Sequence, residues 1–271
     1  MSIDRFTFDA LEYVEGRWEV VVPAPRTPPV DLRVLTWNVW FGGHMFEERR
    51  DALFVELARR RPDVVALQEV TPELLEALLE QPWLRAEWQI STRAVSHYDV
   101  AILSRQPIRQ LAQIDLPSGM GRNLVLAKLA CGLTVATVHL ESTAPEAAAR
   151  AAQLRIIQPA LLDHHPDVLL VGDMNFSPDN ALETAALDPR FIDVWPALHG
   201  AAPGYTMDSD VNLMRQQVKS TPTHRRIDRM FVRSERWRAE SIELVGTQAF
   251  DLDGTFVSDH FGLEASFRVD P

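Results

Sequence analysis

Residues 32–70, LRVLTWNVWFGGHMFEERRDALFVELARRRPDVVALQEV, contain the pattern that decides the fold. Apolar runs at Leu32–Trp37 and Val64–Leu67 predict two buried strands. Between them, Asp51–Arg60 carries its apolar residues at helical spacing, and Pro62 ends this predicted helix. A strand, a helix and a second strand in this order indicate an α/β arrangement.

The same alternation continues along the rest of the chain. Further apolar runs predict strands at Trp88–Ile90, Val100–Leu103, Asn123–Leu129, Leu133–His139, Val168–Val171, Ile227–Val232 and Ala239–Val245. Thr71 is the predicted N-cap of one helix, and Thr143–Glu146 has the spacing of a capping box that opens another. Because the strands alternate with helices but also occur in adjacent pairs, we expect mixed sheets covered by helices.

Composition excludes several classes of protein. The 271 residues are 46% apolar and include 27 Lys and Arg against 38 Asp and Glu, a net charge of −11. This content is globular, and the acidic surplus disfavours a protein that wraps nucleic acid broadly, because phosphate contacts require Lys and Arg. Cys131 is the single cysteine, so an internal disulfide is excluded. With no signal peptide and no apolar run of membrane-spanning length in this sequence, we expect a cytoplasmic protein without a membrane span.

The first 30 residues differ from the rest. Residues 6–21, FTFDALEYVEGRWEVV, predict one or two irregular strands, and Val21–Val30 is a proline-rich connector. We therefore predict an N-terminal appendage over residues 1–30 and a single larger domain over residues 31–271.

Polar residues that follow the apolar runs are the candidates for chemistry. They are Asn38, Glu69, His139, Asp173, Asn175, Asp228, Asp259 and His260. Taken singly, each is explained by an ordinary turn, cap or packing role. Taken together, they supply oxygen ligands of the kind that a hard divalent cation prefers, along with hydrogen-bond donors for phosphate oxygens. This inventory fits hydrolysis at phosphorus.

Six short segments then resemble, in order, the motifs of the endonuclease/exonuclease/phosphatase superfamily. They are Thr36–Asn38, Leu67–Glu69, His139–Ser142, Gly172–Asn175, Arg226–Arg229 and Ser258–His260. Within it, the tyrosyl-DNA phosphodiesterases are the most similar, because His139–Thr143 and Tyr205–Asn212 resemble segments of theirs. The resemblance implies a four-layered α/β sandwich of two mixed β-sheets flanked by helices, with residues 31–271 as the catalytic domain.

The resemblance also implies a metal site and a base. Glu69 would be the principal Mg²⁺ ligand, with Asn38 and Asp259 in the metal shell, and Mn²⁺ is a possible substitute. Asp173 would orient and deprotonate the attacking water, and Asn175 would help to place it.

Histidines would complete the site in the same comparison. His139 and His260 would donate hydrogen bonds to the scissile phosphate, and Asp228 would hold His260 in the required tautomer. Ser142 would contact the phosphate.

Four further residues are weaker candidates for substrate or phosphate binding. Tyr98, Arg122 and Arg226 lie near the motifs, but packing or a solvated charge explains each of them equally well. Met207 stands where the tyrosyl-DNA phosphodiesterases have a tryptophan that packs on DNA, and methionine lacks a flat stacking face.

The resemblance therefore predicts a Mg²⁺-dependent phosphodiesterase in which water attacks phosphorus in line. The expected substrate is a nucleic-acid end or adduct, such as 5′-phosphotyrosyl DNA. The alternative is a small phosphorylated molecule or a phospholipid headgroup, and a third hypothesis is a non-catalytic binding module on the same fold. No obligate protein partner is evident in the sequence.

Overall fold

Two large β-sheets packed face to face form the centre of the structure, which is a computed structural model of the chain. The structure describes residues 5–22, 27–92, 94–163, 165–219 and 221–270. In chain order, the strands found in this part are β1 (Arg5–Phe8), β2 (Leu11–Val14), β3 (Arg17–Val20), β4 (Asp31–Asn38), β5 (Val64–Val70), β6 (Gln89–Ile90), β7 (Asp99–Ser104), β8 (Ile108–Asp115), β9 (Asn123–Leu129), β10 (Thr134–His139), β11 (Val168–Asp173), β12 (Ile192–Asp193), β13 (Met207–Asp208), β14 (His224–Arg225), β15 (Asp228–Arg233), β16 (Trp237–Val245) and β17 (Gly262–Val269). The α-helices are α1 (Phe46–Arg60), α2 (Pro72–Leu79), α3 (Pro82–Glu87), α4 (Ala147–Leu162), α5 (Ala181–Thr184), α6 (Val194–His199) and α7 (Leu213–Val218).

Both large sheets contain parallel and antiparallel pairs. The first has the order β1-β8-β9-β10-β11-β15-β12, with β10 and β11 parallel. The second has the order β16-β17-β4-β5-β7-β6-β2-β3, with β4 and β5 parallel. β13 and β14 form a separate antiparallel pair.

Apolar side chains divide into three main layers of packing. The inner faces of the two sheets meet in one cluster, which includes Val34 of the second sheet and Leu169 of the first. Leu53 of α1 packs on the outer face of the second sheet, and Leu154 of α4 packs on the outer face of the first. Helices therefore cover both outer faces, and the predicted four-layered α/β sandwich of two mixed sheets is confirmed.

The helix boundaries show what local sequence patterns could predict. Thr71 caps α2 as predicted, since its side chain accepts a hydrogen bond from the backbone N–H of Leu74. α1 ends at Arg60 as predicted but begins at Phe46, five residues before the predicted start, after Met45 in the left-handed conformation with no side-chain cap. The prediction of a capping box at Thr143 was wrong.

At that position the backbone conformation prevents the cap. Thr143 has a φ of 73° and its side chain makes no capping bond, and a 3₁₀ turn at Ala144–Glu146 precedes α4. β8 was not predicted, because exposed Arg109 and Gln110 interrupt its apolar residues.

The N-terminal strands join the edges of both sheets. β1 pairs with β8 of the first sheet, while β2 pairs with β6 of the second and with β3. Residues 23–26 of the proline-rich connector lie outside the described residues. The division of the chain at residue 30 stays a prediction.

The α-helices of the described residues are between 4 and 16 residues long. None of those helices combines the length and the apolar character that a membrane crossing requires.

Candidate active site

The strand ends bring the polar candidates together. His139 ends β10 and lies opposite Asp173 of β11, which in turn lies opposite Asp228 of β15. Asn38 ends β4 in the second sheet, and its Nδ2 donates to Asp173 Oδ2 at 2.9 Å and to Glu69 Oε1 at 3.0 Å. The Asn38 side chain therefore links the ends of the two sheets.

A bulge in β5 directs Glu69 into this cluster. The pairing of β5 with β7 shifts register between Leu67 and Val70, and Glu69 has a φ of 63°, which is uncommon outside glycine. The backbone N–H of Phe41 donates to Glu69 Oε2 at 2.9 Å. Burial raises the pKa of the Glu69 carboxyl. A cation near this carboxylate would relieve the cost of its burial.

The turn after β11 fixes Asp173. Gly172 has a φ of 132°, and a Cβ there would lie 2.1 Å from the carbonyl oxygen of Val138, so only glycine fits. Asn175 is left-handed with a φ of 53°, and its backbone N–H donates to Asp173 Oδ1 at 2.8 Å. Asn175 Nδ2 donates to the carbonyl oxygen of Leu140 at 3.0 Å.

Asp173 titrates far from its ordinary range. Burial, reinforced by the negative charge of Asp228, raises the pKa of Asp173 to about 7. His139 Nε2 lies 3.4 Å from Asp173 Oδ2. A carboxylate whose pKa is close to neutrality can exchange a proton under physiological conditions.

His139 is neutral and its tautomer is determined by Arg122. Nη1 of Arg122 lies 3.0 Å from His139 Nδ1. A guanidinium can only donate, so Nδ1 accepts and the ring proton resides on Nε2. Burial, then the positive charges of Arg122 and His260, lower the pKa of His139 well below 6.5.

His260 has the opposite charge state. Its Nδ1 lies 2.8 Å from Oδ2 of Asp228, which is fully buried. Burial lowers the pKa of His260, but the negative charges of Asp228, Asp259 and Asp173 outweigh it and raise the pKa to about 10. His260 is therefore an imidazolium at neutral pH and donates from both ring nitrogens.

Ser142, Arg122 and Tyr98 form one group beside His139. Arg122 Nη2 donates to Ser142 Oγ at 2.7 Å, and its guanidinium lies 5.2 Å from the ring centroid of Tyr98. Asn175 Nδ2 lies 3.3 Å from Ser142 Oγ, which connects this group to the turn after β11.

The remaining candidates lie in different surroundings. Arg226 pairs with Asp193, with its Nη1 2.8 Å from Asp193 Oδ2. Met207 is half-buried in β13, where it pairs with Arg225 of β14. Neither belongs to the hydrogen-bonded cluster around Asp173 that the structure gives for the described residues.

Arg215 is a residue that the sequence did not indicate. It lies in α7, and its Nη1 is 2.8 Å from Oδ2 of Asp259. Lys219 Nζ is 3.8 Å from the same oxygen. α7 falls between two motifs and has no apolar period, so no sequence pattern could have indicated that it contacts Asp259.

The oxygen atoms available to a metal fit a hard divalent cation. Asp228 Oδ1 and Asp259 Oδ1 are buried, and neither accepts a hydrogen bond from any described residue. Asp173, Asp228 and His260 place ligand atoms within 4.8 Å of one another. Because His260 is protonated, however, oxygens remain the suitable ligands, and Glu69 and Asn38 add two more donor groups.

Comparison with known proteins agrees with the fold and with the family that the motifs resemble. Residues 35–260 match the Endonuclease/Exonuclease/phosphatase family. Tyrosyl-DNA phosphodiesterase 2 of Xenopus tropicalis is 30% identical over 251 residues, which are 87% of this chain and 65% of that protein. The Homo sapiens protein of the same name is 29% identical over 251 residues, which are 87% of this chain and 68% of that protein. The chain thus spans about two thirds of the length of these relatives.

A solved structure is similar over nearly the whole chain. The crystal structure of D. rerio TDP2 complexed with single strand DNA product aligns with a TM-score of 0.77 and 25% sequence identity. The alignment covers 89% of this chain and 100% of that chain.

Proposed function

This chain belongs to the Endonuclease/Exonuclease/phosphatase family, and from that premise we propose that it is a phosphodiesterase that hydrolyses a phosphate ester at a nucleic-acid end or adduct, such as 5′-phosphotyrosyl DNA. One observation carries the proposal. Asp173, with its pKa raised to about 7, lies in one cluster with a neutral histidine and a protonated one. The similarity to proteins named tyrosyl-DNA phosphodiesterase 2 supports this choice of substrate.

We include Mg²⁺ in the proposal, with Mn²⁺ as a substitute. Glu69 would hold the ion, together with Asn38 and Asp259, because these residues present oxygen atoms at the junction of the two sheets. When bound, the ion supplies positive charge to the phosphate oxygens.

Asp173 would act as the base. A general base works best when its pKa is close to the working pH, and the pKa of Asp173 is about 7. It would take a proton from the attacking water, which approaches phosphorus in line with the leaving oxygen. The backbone N–H of Asn175 holds Oδ1 of Asp173 at 2.8 Å and so orients the carboxylate.

The two histidines would serve the phosphate oxygens. His260 carries a full positive charge, and Asp228 retains the proton on its Nδ1. The Nε2 of His260 lies 3.8 Å from Asp259 Oδ1, which is longer than a hydrogen bond. His139 is neutral and would donate a second hydrogen bond from its Nε2–H, because its Nδ1 accepts from Arg122. Such donors stabilise a transition state when they face the oxygens on which negative charge develops.

Other residues of the proposed site would bind rather than react. Ser142, Arg122 and Tyr98 are contiguous with His139 and would contact the phosphate or its neighbour. Arg226 and Met207 stay predictions as substrate contacts, and Arg226 would have to share its guanidinium with Asp193. A cytoplasmic location also belongs to the proposal, supported by the single cysteine, Cys131, which is buried.

A substrate panel tests the function. The purified chain, with Mg²⁺, is given a 5′-phosphotyrosyl oligonucleotide, inositol phosphates, a choline phosphodiester and free nucleotides. We expect turnover of the oligonucleotide, loss of turnover in EDTA and its recovery with Mn²⁺.

Asp173→Asn is the matched variant for this panel. It should lower kcat by about a thousandfold or more, with far-UV circular dichroism unchanged, because the base is lost. Turnover of small phosphoesters with an untouched oligonucleotide would establish the alternative substrate class. Full activity of Asp173→Asn would remove Asp173 as the base.

A further inference from the structure

An aromatic pair borders the proposed site, and one member of it, Phe41, takes no part in the chemistry above. The rings of Phe41 and Tyr98 are stacked, with centroids 4.8 Å apart and an interplanar angle of 23°. Phe41 is nevertheless 48% exposed. Tyr98 covers one face of the Phe41 ring, and about half of the Phe41 residue remains accessible to solvent.

Hydrogen bonds hold the backbone at Trp40 and Phe41 against the proposed metal ligands. The N–H of Phe41 donates to Glu69 Oε2 at 2.9 Å, and the N–H of Trp40 donates to Asn38 Oδ1 at 3.0 Å. The position of the Phe41 ring is therefore coupled to that of the Glu69 carboxylate.

The other end of the stack reaches the phosphate-binding group. The Tyr98 ring lies 6.4 Å from the His139 ring, and the guanidinium of Arg122 lies 5.2 Å from the centroid of Tyr98. Arg122, Tyr98 and Phe41 thus form a layered series that runs from His139 towards Glu69. A flat group placed on Phe41 would extend this series by one layer.

Neighbouring side chains do not offer an equivalent surface. The ring of Trp40 is contacted by Arg49 at 4.4 Å and by Lys219 at 5.5 Å, so cations already lie on it. Met207 has no planar face. A single exposed phenylalanine is ordinary on a protein surface, but one that is stacked and attached to the site is not explained by chance exposure.

We propose that Phe41, stacked on Tyr98, is a specificity-determining residue that receives a planar aromatic ring of the substrate beside the scissile phosphate. The inference rests on the proposed function and specifies its substrate as an ester that carries such a ring. Two sources supply the same chemistry, a nucleobase or a phenol leaving group. Stacking of bases on aromatic side chains is tolerant of sequence, which suits an enzyme that acts at ends.

Phe41→Leu is the test variant, and Phe6→Leu is its matched control. Phe6 is 54% exposed on β1 at the edge of the first sheet, so both substitutions remove an exposed ring. Each substitution leaves the backbone N–H of its residue in place, so Phe41→Leu should retain the hydrogen bond from residue 41 to Glu69 Oε2. We expect KM for the 5′-phosphotyrosyl oligonucleotide to rise about tenfold in Phe41→Leu with kcat within twofold. Phe6→Leu should match the wild type, and Phe41→Trp should restore a low KM.

Two substrate arms identify the source of the ring. One oligonucleotide has an abasic first nucleotide, and the other has an alkyl group in place of the tyrosyl group. If Phe41 stacks on a base, the rise in KM caused by Phe41→Leu should disappear with the abasic oligonucleotide. If Phe41 stacks on the phenol, the rise should disappear with the alkyl oligonucleotide.

A binding measurement separates this inference from the proposed function. Fluorescence anisotropy in EDTA measures the affinity of each variant for a 5′-phosphorylated trinucleotide that carries a label at its 3′ end. The affinity for O-phosphotyrosine is measured by its competition with that trinucleotide. Equal affinities in Phe41→Leu and wild type for both probes overturn the inference, whether or not the protein turns over any ester. An equal fall in kcat for every substrate, with KM unchanged, also overturns it, because Phe41 would then act through Glu69 alone. Absence of turnover in wild type with a binding defect in Phe41→Leu would instead reject the proposed function.

Discussion

His260 and His139 lie on two sides of Asp173 and have the same local geometry but opposite charge. Each is buried, and each has a polar partner about 3 Å from Nδ1, at 2.8 Å for His260 and 3.0 Å for His139. The partner of His260 is a carboxylate and that of His139 is a guanidinium. The pKa of His260 is raised to about 10, although burial alone lowers it, whereas burial and Arg122 together lower the pKa of His139.

The group that contacts Nδ1 therefore determines the charge state of each buried histidine, and with it the kind of donor that Nε2 becomes. Both rings carry a proton on Nε2, but one ring is a cation and the other is a neutral donor. Asp173 therefore has an imidazolium on one side without a second imidazolium on the other. A site with two imidazolium rings would bind phosphate more strongly in the ground state and would depress the pKa of Asp173.

Replacing Asp228, the Nδ1 partner of His260, should have the largest effect on the charge difference between the two histidines. In Asp228→Asn the carboxylate charge is lost, so burial should bring the pKa of His260 down towards that of His139. We expect kcat to fall by about 10²–10⁴-fold, the range for removal of a positioned acid or base. Steady-state kinetics at saturating substrate and Mg²⁺ measure the fall, and NMR titration of the metal-free protein follows the ring.

Asp167→Asn is the control for that variant. Asp167 is also buried and accepts from Ser234 Oγ at 2.6 Å, but it precedes β11 at the end of the strand remote from Asp173. Its loss should lower Tm and leave kcat within about twofold, since the groups affected are the hydrogen bond from Ser234 and the ion pair with Arg236 at 3.4 Å, both remote from Asp173. An equal fall in kcat in both variants would mean that Asp228 acts through stability and not through His260.

Arg122→Gln tests the other side and should have a smaller effect. Glutamine keeps a donor but removes the charge, so the pKa of His139 should rise while remaining lowered by burial. Losing one charge-assisted hydrogen bond costs about 1.5–3 kcal/mol, which predicts a fall in kcat/KM of roughly 10–100-fold. Arg109→Gln, an equal change of charge at an exposed site on β8, is the control and should behave as wild type. A similar loss in Arg109→Gln would assign the effect to net charge and not to the contact with His139.

Sequence patterns indicated the residues at the strand ends directly, whereas at the rim Arg122 and Tyr98 were weaker candidates and Phe41 and Arg215 were not indicated. Asp173, Asp228 and His139 follow or begin apolar runs, and strand pairing alone brings such residues to one edge. The Arg122–Tyr98–Phe41 series and the Arg215–Asp259 pair join segments of loops and short helices. No periodic pattern specifies such contacts, because they depend on tertiary packing across distant parts of the chain.

The fold shows the same division. Buried strands with continuous apolar runs were predicted, while β8 and the start of α1 were not, because exposed polar residues and a left-handed Met45 replace the usual signals there. Thr143 illustrates the converse, since a correct capping spacing was overridden by its backbone conformation. Local sequence could therefore place the buried centre of the fold and not its peripheral segments.

The pH dependence of stability gives the finest test of the contrast, because the two histidines should contribute slopes of opposite sign. His260 has a folded pKa of about 10, above the unfolded value near 6.5. Its stabilisation is complete below about pH 6.5 and is lost as the pH rises towards 10, by about 1.4 kcal/mol per pH unit within that window. His139 has a folded pKa well below 6.5, so only the unfolded chain takes up its proton and stability falls as the pH drops below about 6.5, at up to the same rate.

Urea unfolding of the metal-free protein, compared with His260→Gln from pH 7 to 9 and with His139→Gln from pH 6.5 to 5, isolates each contribution as a difference in slope. We expect His260→Gln to flatten the decline on the alkaline side and His139→Gln to flatten the decline on the acid side. Differences of the same sign for both variants would show that the two rings share one charge state and that their Nδ1 partners do not determine it.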